Sequence, residues 1–238
     1  MIDRAVLSWS GGKDAALALH ELAGSGGEGG SGDVGGAPEI AVERLLTTVS
    51  AATDRVTMHG VRPELVERQA AAAGLPLDVL ELPADPSNEE YEAAMTGQLR
   101  EYADRGIDRA VFADVFLSDV RAYREENLSD TPLSGYWPLW GRDTEDLVEE
   151  LLAAGFRATV VCVDGSALDR SFVGRDLDRD CLADLPEGVD PCGENGEFHT
   201  FVRDCPAFEA PVHVETGERV TRTVAGSEFH YCDLLPAE

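Results

Sequence analysis

Apolar positions in the first half of the chain alternate between two kinds of segment. Ala5-Val6-Leu7 is a compact apolar run, the pattern of a short buried strand, and Asp14 to Ala23 follows with Ala and Leu at helical spacing. Glu43 to Ser50 predicts a second strand. Pro63 then opens a helix that runs to about Ala73 and is stopped by Gly74, because proline fits a first helical turn and glycine an end. Leu77 to Leu82 reads as a third strand, Glu89 to Arg105 as a helix, and Arg109 to Val115 as a fourth strand. Strands separated by helices predict a parallel sheet with right-handed crossovers. Such open sheets bind ligands at the carboxyl ends of their strands.

The pattern changes after about Thr131. Thr144 to Ala154 predicts a helix closed by Gly155, and Ala158 to Asp164 an apolar strand. From Gly193 onward the text is strand-like, and Glu215-Thr216-Gly217-Glu218 predicts the turn of a hairpin. The expected organisation is an α/β nucleotide domain over residues 1–130 and a smaller, β-richer substrate domain over 131–238. Residues 24–36 are almost all Gly, Ser and acid, and read as a flexible surface loop without chemistry.

Charge alters the picture. The 238 residues carry 46 acidic against 19 basic side chains, a net of −27, and Lys13 is the sole lysine. Self-repulsion of that size destabilises a compact state at low ionic strength and is screened by salt, so the composition fits a halophilic protein, soluble in concentrated salt. It argues against nucleic acid, whose phosphates call for clustered Lys and Arg. The five cysteines form no CxxC pair, which predicts reduced thiols and a cytoplasmic location. No apolar run reaches the roughly 18 residues that a membrane span requires.

The strongest motif is Leu7-Ser8-Trp9-Ser10-Gly11-Gly12-Lys13-Asp14, between the first strand and the first helix. Gly11 and Gly12 let the backbone approach a ligand and aim N–H groups at an anion, and the helix adds its positive end. Ser10 offers a hydroxyl and Lys13 a charge. Asp14 would repel phosphate unless Mg²⁺ lay between them, which makes it the candidate metal ligand. A turn that merely needs glycine is the plainer reading. Lys13 decides against it: a chain with no other lysine keeps one in this loop.

Ser-Gly-Gly-Lys-Asp after an amino-terminal strand resembles the PP-loop ATP pyrophosphatases of the adenine nucleotide alpha-hydrolase superfamily. That resemblance implies a Rossmann-like sheet of about five parallel strands and Mg-ATP as cosubstrate. It also implies that Ser8 and Val49 frame the adenine and ribose. Three further segments narrow it: Thr57 to Arg62, Asp114 to Asn127 running on to Trp140, and Pro191 to Phe201. Together they resemble the diphthine–ammonia ligase (diphthamide synthase) family over nearly the whole chain. The resemblance implies ATP-dependent amidation by ammonium of a carboxylate, that of diphthine on elongation factor two. It puts Glu126 among the catalytic residues, and His59, Asn127, Asn195 and Thr200 among those that bind substrate. One departure bears on the substrate. Gly193-Glu194-Asn195-Gly196-Glu197 stands where diphthamide-forming members carry a Gly-Gly-Glu-Gly-Glu signature, and is similar to a sister branch linked to cobamide salvage.

The residues also make chemical sense unaided. Acyl adenylation needs cations to balance charge on the phosphates, a task for Lys13, Mg²⁺ and an arginine. Arg124 is the better arginine, with pairing of Arg121 and Arg124 to local acids as the equal alternative. Asp114 at the end of the fourth strand is a metal ligand or base, or else a helix cap. Glu194 and Glu197 beside glycines would both enter a cleft to bind ammonium and take its proton, or else be solvated acids of a turn. His199 and His59 titrate near neutrality or are structural. Cys192 reads as a structural thiol. The oligomeric state is left open, with a homodimer as the assembly to test. Two competing functions stand beside the ligase: an ATP-binding module without chemistry, and a tRNA-modifying enzyme, which the charge and the unpaired cysteines disfavour.

Overall fold

The computed structural model describes residues 2–24, 39–84, 87–224 and 226–237. The predicted loop over 24–36 lies, beyond Gly24, outside the described residues. Strand β1 (Asp3–Ser8) is central and runs parallel to β2 (Ile40–Ser50) on one side and β5 (Arg109–Val111) on the other. β4 (Leu77–Leu82) pairs with β2, and β6 (Ser134–Tyr136) with β5, giving five parallel strands in the order β4-β2-β1-β5-β6. The first sheet therefore draws on the chain beyond residue 130. A two-residue strand, β3 (Arg55–Val56), pairs antiparallel with Val49 and Ser50 at the end of β2.

Alternation along β1 divides the core. Ala5 and Leu7 point to one face, where α1 (Lys13–Gly24), α2 (Pro63–Ala72) and the second sheet pack. Val6 points to the other, against Met95, Leu99 and Tyr102 of α3 (Asn88–Asp104) and Leu128 of α4 (Ser118–Ser129). The Ala and Leu of α1 are buried almost all round because the helix touches β1 and β2 on one side and β8 on the other. Ser87 and Glu90 close a reciprocal cap at the start of α3.

The second sheet is antiparallel in the order β8-β7-β10-β9, from β7 (Arg157–Asp164), β8 (Phe198–Asp204), β9 (Val214–Val224) and β10 (Ser227–Pro236). Helix α5 (Thr144–Ala153) precedes it, capped by Asp143. One apolar cluster joins the two sheets, running from Leu7 and Trp9 to Phe201, Val202 and Leu234.

Two expected elements differ. The hairpin turn is not at Glu215–Glu218, which lies inside β9; β9 runs on to Val224, which pairs with Ser227 at the start of β10. Thr216 pairs with Leu234 and Arg219 with Cys232, so β9 carries one extra residue beside Gly217. Glycine inside a strand signals a bulge as readily as a turn. The fourth predicted strand also stops at Val111 rather than Val115. Phe112 still donates its N–H to the Tyr136 carbonyl, and the chain then leaves the sheet to carry Asp114 into the cleft described next.

Candidate active site

The glycine loop leaves β1 at its carboxyl end. Trp9 donates its N–H to the Leu46 carbonyl at 2.7 Å, extending the β1–β2 pairing by one residue. The Gly11 carbonyl then turns away from the sheet and accepts from the Val202 N–H at 2.9 Å and from Gln69 Nε2 at 3.0 Å. Gly12 N–H meets Ser10 Oγ at 3.2 Å, Lys13 N–H meets Thr200 Oγ1 at 3.0 Å, and Ala16 N–H on the Gly12 carbonyl begins α1. Both glycines are required. Gly11 has φ +77°, and a Cβ there would lie 2.6 Å from Gln69 Oε1; a Cβ on Gly12 would lie 2.9 Å from His59 Nε2.

Above this loop is a cleft of about 340 Å³. Its floor is Ser8, Ser10, Lys13 and Asp14; one wall is Leu46, Thr47 and Thr48 from β2 with Met58 and His59 beyond β3. The opposite wall is Ala113, Asp114 and Arg124 with Tyr91 and Met95 of α3; the turn before β8 contributes Gly193 and Glu194, and β8 itself Phe198, His199 and Thr200. Such a volume suits a bound small molecule.

Lys13 is 3% exposed, and its ammonium reaches both carboxylate oxygens of Asp14, at 2.7 and 2.9 Å. Burial would lower its pKa, but Asp14, with smaller contributions from Cys192 and Glu194, holds it above the ordinary lysine value. The group is a fixed cation. Glu194 Oε1 accepts from the N–H groups of Val115 at 2.6 Å and Phe116 at 3.3 Å, pinning the loop after β5 to the turn before β8. Burial, with the nearby Asp14, pushes its carboxyl up to about 7.

The His59 and His199 rings lie 4.6 Å apart, centroid to centroid. Burial lowers both, His199 to about 4 with Lys13 adding to the effect, and His59 well below its ordinary value with His199 adding. Both rings are neutral at neutral pH. His199 Nε2 has no hydrogen-bond partner among the described residues, a polar atom in the cleft wall that a ligand can satisfy.

Asp114 caps no helix. Its Oδ1 accepts from Arg124 Nη2 at 3.1 Å, its Oδ2 lies 2.8 Å from Arg124 Nε in an ion pair, and Oδ2 accepts from Trp137 Nε1 at 3.0 Å. Arg121 pairs with Glu125 and lies 4.6 Å from the rings of both Trp137 and Trp140.

Several predicted residues stand outside the cleft lining. Val49 is buried beneath β3, which pairs with it, and Leu46, Thr47 and Thr48 line the wall instead. Glu197 turns inward: its Oε1 accepts from the Asp190 N–H and Asn195 Nδ2, so it shapes the 190–197 turn while Glu194 alone of the pair faces the cleft. Asn195 is exposed and serves that turn. Glu126 is exposed because it sits about 200° around α4 from Arg124, and Asn127, partly buried, also lies off the lining. Gly11 and Gly12 act through the backbone. Cys192 is a structural thiol, bonded to the Thr144 carbonyl and pushed by burial to about 12.

Sequence reasoning missed Gln69, Trp9, Thr47, Met58 and Tyr91. Gln69 had a signal: it occupies the buried stripe of α2 with Leu65, Val66 and Ala70, where a polar residue is out of place unless bonded.

The donor set fits the triphosphate of ATP: the Ser10 hydroxyl of the glycine loop, a buried cation and an unpartnered imidazole nitrogen line one cleft. Asp14 fits Mg²⁺, which commonly takes one carboxylate together with phosphate oxygens. Among the described residues no three His, Cys, Asp or Glu side chains gather as a metal cluster, and no helix is long and apolar enough to cross a membrane.

Residues 3–128 match the model of the diphthamide synthase N-terminal domain, and residues 143–231 that of the diphthamide synthase C-terminal domain. Among curated proteins, the diphthine–ammonia ligase of Bos taurus is 36% identical over 116 residues, 45% of this chain and 42% of that protein. The human diphthine–ammonia ligase is 36% identical over 113 residues, 44% of this chain and 41% of that protein. Each of these matches spans less than half of the relative's length. The Danio rerio diphthine–ammonia ligase is 27% identical over 235 residues, 89% of this chain and 86% of that protein. With its two halves matched in order, this chain belongs to the diphthamide synthase family.

Proposed function

We propose that the protein is an ATP-dependent carboxylate–ammonia ligase that forms AMP, with diphthine as the carboxylate. The observation that carries the reading is Lys13, a buried ammonium at the start of α1 after a glycine loop, facing a cleft that Glu194 enters from the turn before β8. The similarity to diphthine–ammonia ligases supports the substrate.

In this reading, Ser10 and the backbone of Gly11 and Gly12 hold the terminal phosphates of ATP, and Lys13 balances their charge. Asp14 would hold Mg²⁺, which supplies further charge neutralisation. Ser8 and the β2 wall frame the nucleoside. A carboxylate oxygen of the substrate attacks the α-phosphorus; the bond to the bridging oxygen breaks and pyrophosphate leaves with the electron pair. Ammonia then attacks the acyl carbon, the bond to AMP breaks, and the surplus proton passes to a carboxylate. Glu194 is that base, because a carboxyl titrating near 7 is matched to proton transfer at neutral pH. His59, His199 and Thr200 bind and orient at the phosphate end, and Arg124 with Asp114 shapes the opposite wall.

The test is incubation of the protein with Mg-ATP, ammonium and diphthine-bearing elongation factor two, with AMP and amidation both assayed. Amidated factor with equimolar AMP is expected, and Lys13→Ala is expected to bind no ATP. ATP binding without amidation of the factor would overturn diphthine as substrate in favour of a small carboxylate. No ATP binding by folded wild type would overturn the reading altogether.

A further inference from the structure

Gln69 is fully buried, yet it is polar and belongs to no wall of the cleft. Its side chain makes three hydrogen bonds to two distant parts of the chain, the glycine loop and β8. Oε1 accepts from Trp9 Nε1 at 3.1 Å; Nε2 donates to the Gly11 carbonyl at 3.0 Å and to the Val202 carbonyl at 2.6 Å. The amide has one consistent orientation. Indole nitrogen only donates and backbone carbonyls only accept, so all three partners fix oxygen toward Trp9 and nitrogen toward Gly11 and Val202.

The consequence falls on the loop. A trans peptide sets the Gly11 C=O and the Gly12 N–H in opposite directions. Gln69 draws the Gly11 carbonyl toward α2 and β8, so the Gly12 N–H is turned the other way, toward the cleft-lining hydroxyl of Ser10. The Val202 N–H, which also donates to Gly11 O, fastens the same carbonyl to the second sheet. Val66 closes the space beside Gln69, with its Cγ1 3.0 Å from where a Gly11 Cβ would stand.

We infer that Gln69 is a positioning residue for nucleotide binding: its amide locks the Gly11–Gly12 peptide in the orientation that turns the Gly12 N–H toward Ser10 at the phosphate end of the cleft, and couples that orientation to β8. This rests on the ATP reading above. Gln69 touches no substrate; it acts through Gly11.

Gln69→Glu keeps size and shape but, when ionised, offers only acceptors to two carbonyls. Protonated, it regains one donor. Titration calorimetry of Mg-ATP on the full chain is therefore expected to show dissociation weakened about tenfold or more at pH 8 relative to wild type, with the gap narrowing as pH is lowered. A purely structural loss would not reverse with pH in a variant that stays folded. A folded Gln69→Glu with wild-type affinity at pH 8 overturns the inference while leaving the ATP reading intact; wild type that binds no Mg-ATP overturns both. If Gln69→Glu does not fold at pH 8, the side-chain amide protons of Gln69 are followed by NMR in the wild type. They are expected to exchange slowly and to shift on saturation with Mg-ATP, and unshifted signals overturn the inference.

Discussion

Lys13 donates its backbone N–H to Thr200 Oγ1 across 3.0 Å, tying the first residue of α1 to a strand 187 residues further along the chain. Thr200 is 2% exposed, and its neighbour Val202 holds the carbonyl of Gly11. The glycine loop is thus finished by the second sheet, and the residue proposed to balance the charge of phosphate is oriented by one outside the amino-terminal half.

Replacement of Thr200 by Val keeps the shape and removes the acceptor. A buried N–H left without a partner costs about 1–3 kcal/mol. Thr200→Val is expected to lose stability by that amount in denaturant unfolding and to bind ATP about tenfold more weakly, with Thr200→Ser close to wild type. Equal ATP affinity in Val and wild type would show that the bond does not orient Lys13.

Glu194 makes stability depend on pH in the opposite sense from a paired carboxylate. Its carboxyl titrates at about 7 in the folded protein against 4.5 in the reference state, under burial and the nearby charge of Asp14, with Lys13 and two backbone N–H groups pulling the other way. Between those values the folded protein holds a proton that the unfolded chain has released. Its contribution therefore falls as pH rises through this window and is most favourable below it. Glu194→Gln can still accept from Val115 and Phe116 but does not titrate. Thermal melts from pH 5 to 8 are expected to favour the variant progressively at the alkaline end, while its amidation rate falls. A variant with full amidation activity would remove Glu194 as the base.

Arg124 and Asp114 form a two-pronged pair on the cleft wall, with side-chain exposures of 28% and 14%. Arg124→Ala leaves Asp114 with only the Trp137 indole and is expected to cost about 1–3 kcal/mol, below a fully buried pair because both groups touch solvent. Arg124→Lys recovers little, since an ammonium cannot bridge both oxygens. The double variant Asp114→Asn, Arg124→Leu is expected to regain stability in thermal melts while AMP release stays depressed. Recovery of both would make the pair purely structural.

The amino-terminal half was largely legible because its signals are local. Glycine, lysine and aspartate in the first turn after an apolar strand identify the phosphate loop, and apolar spacing located β1, α1, β2, α2, β4 and α3 within a few residues. Legibility failed where one residue type serves two geometries. Gly217 is a bulge inside β9 rather than a turn, since strand pairing, absent from local sequence, decides between them. Glu194 and Glu197 look equivalent beside their glycines, yet positive φ at Gly193 and Gly196 sends one carboxylate into the cleft and the other back onto Asp190 and Asn195.

By itself the sequence determined the place of the glycine loop, the parallel strands that carry it and the acidic character of the molecule, because propensity, spacing and charge act within a few residues. Only the tertiary structure decided which side chains complete the site. Thr200, Val202 and Gln69 reach the loop from a strand and a helix 58 or more residues away, and a hydrogen bond between such partners exists only once both sheets share one core.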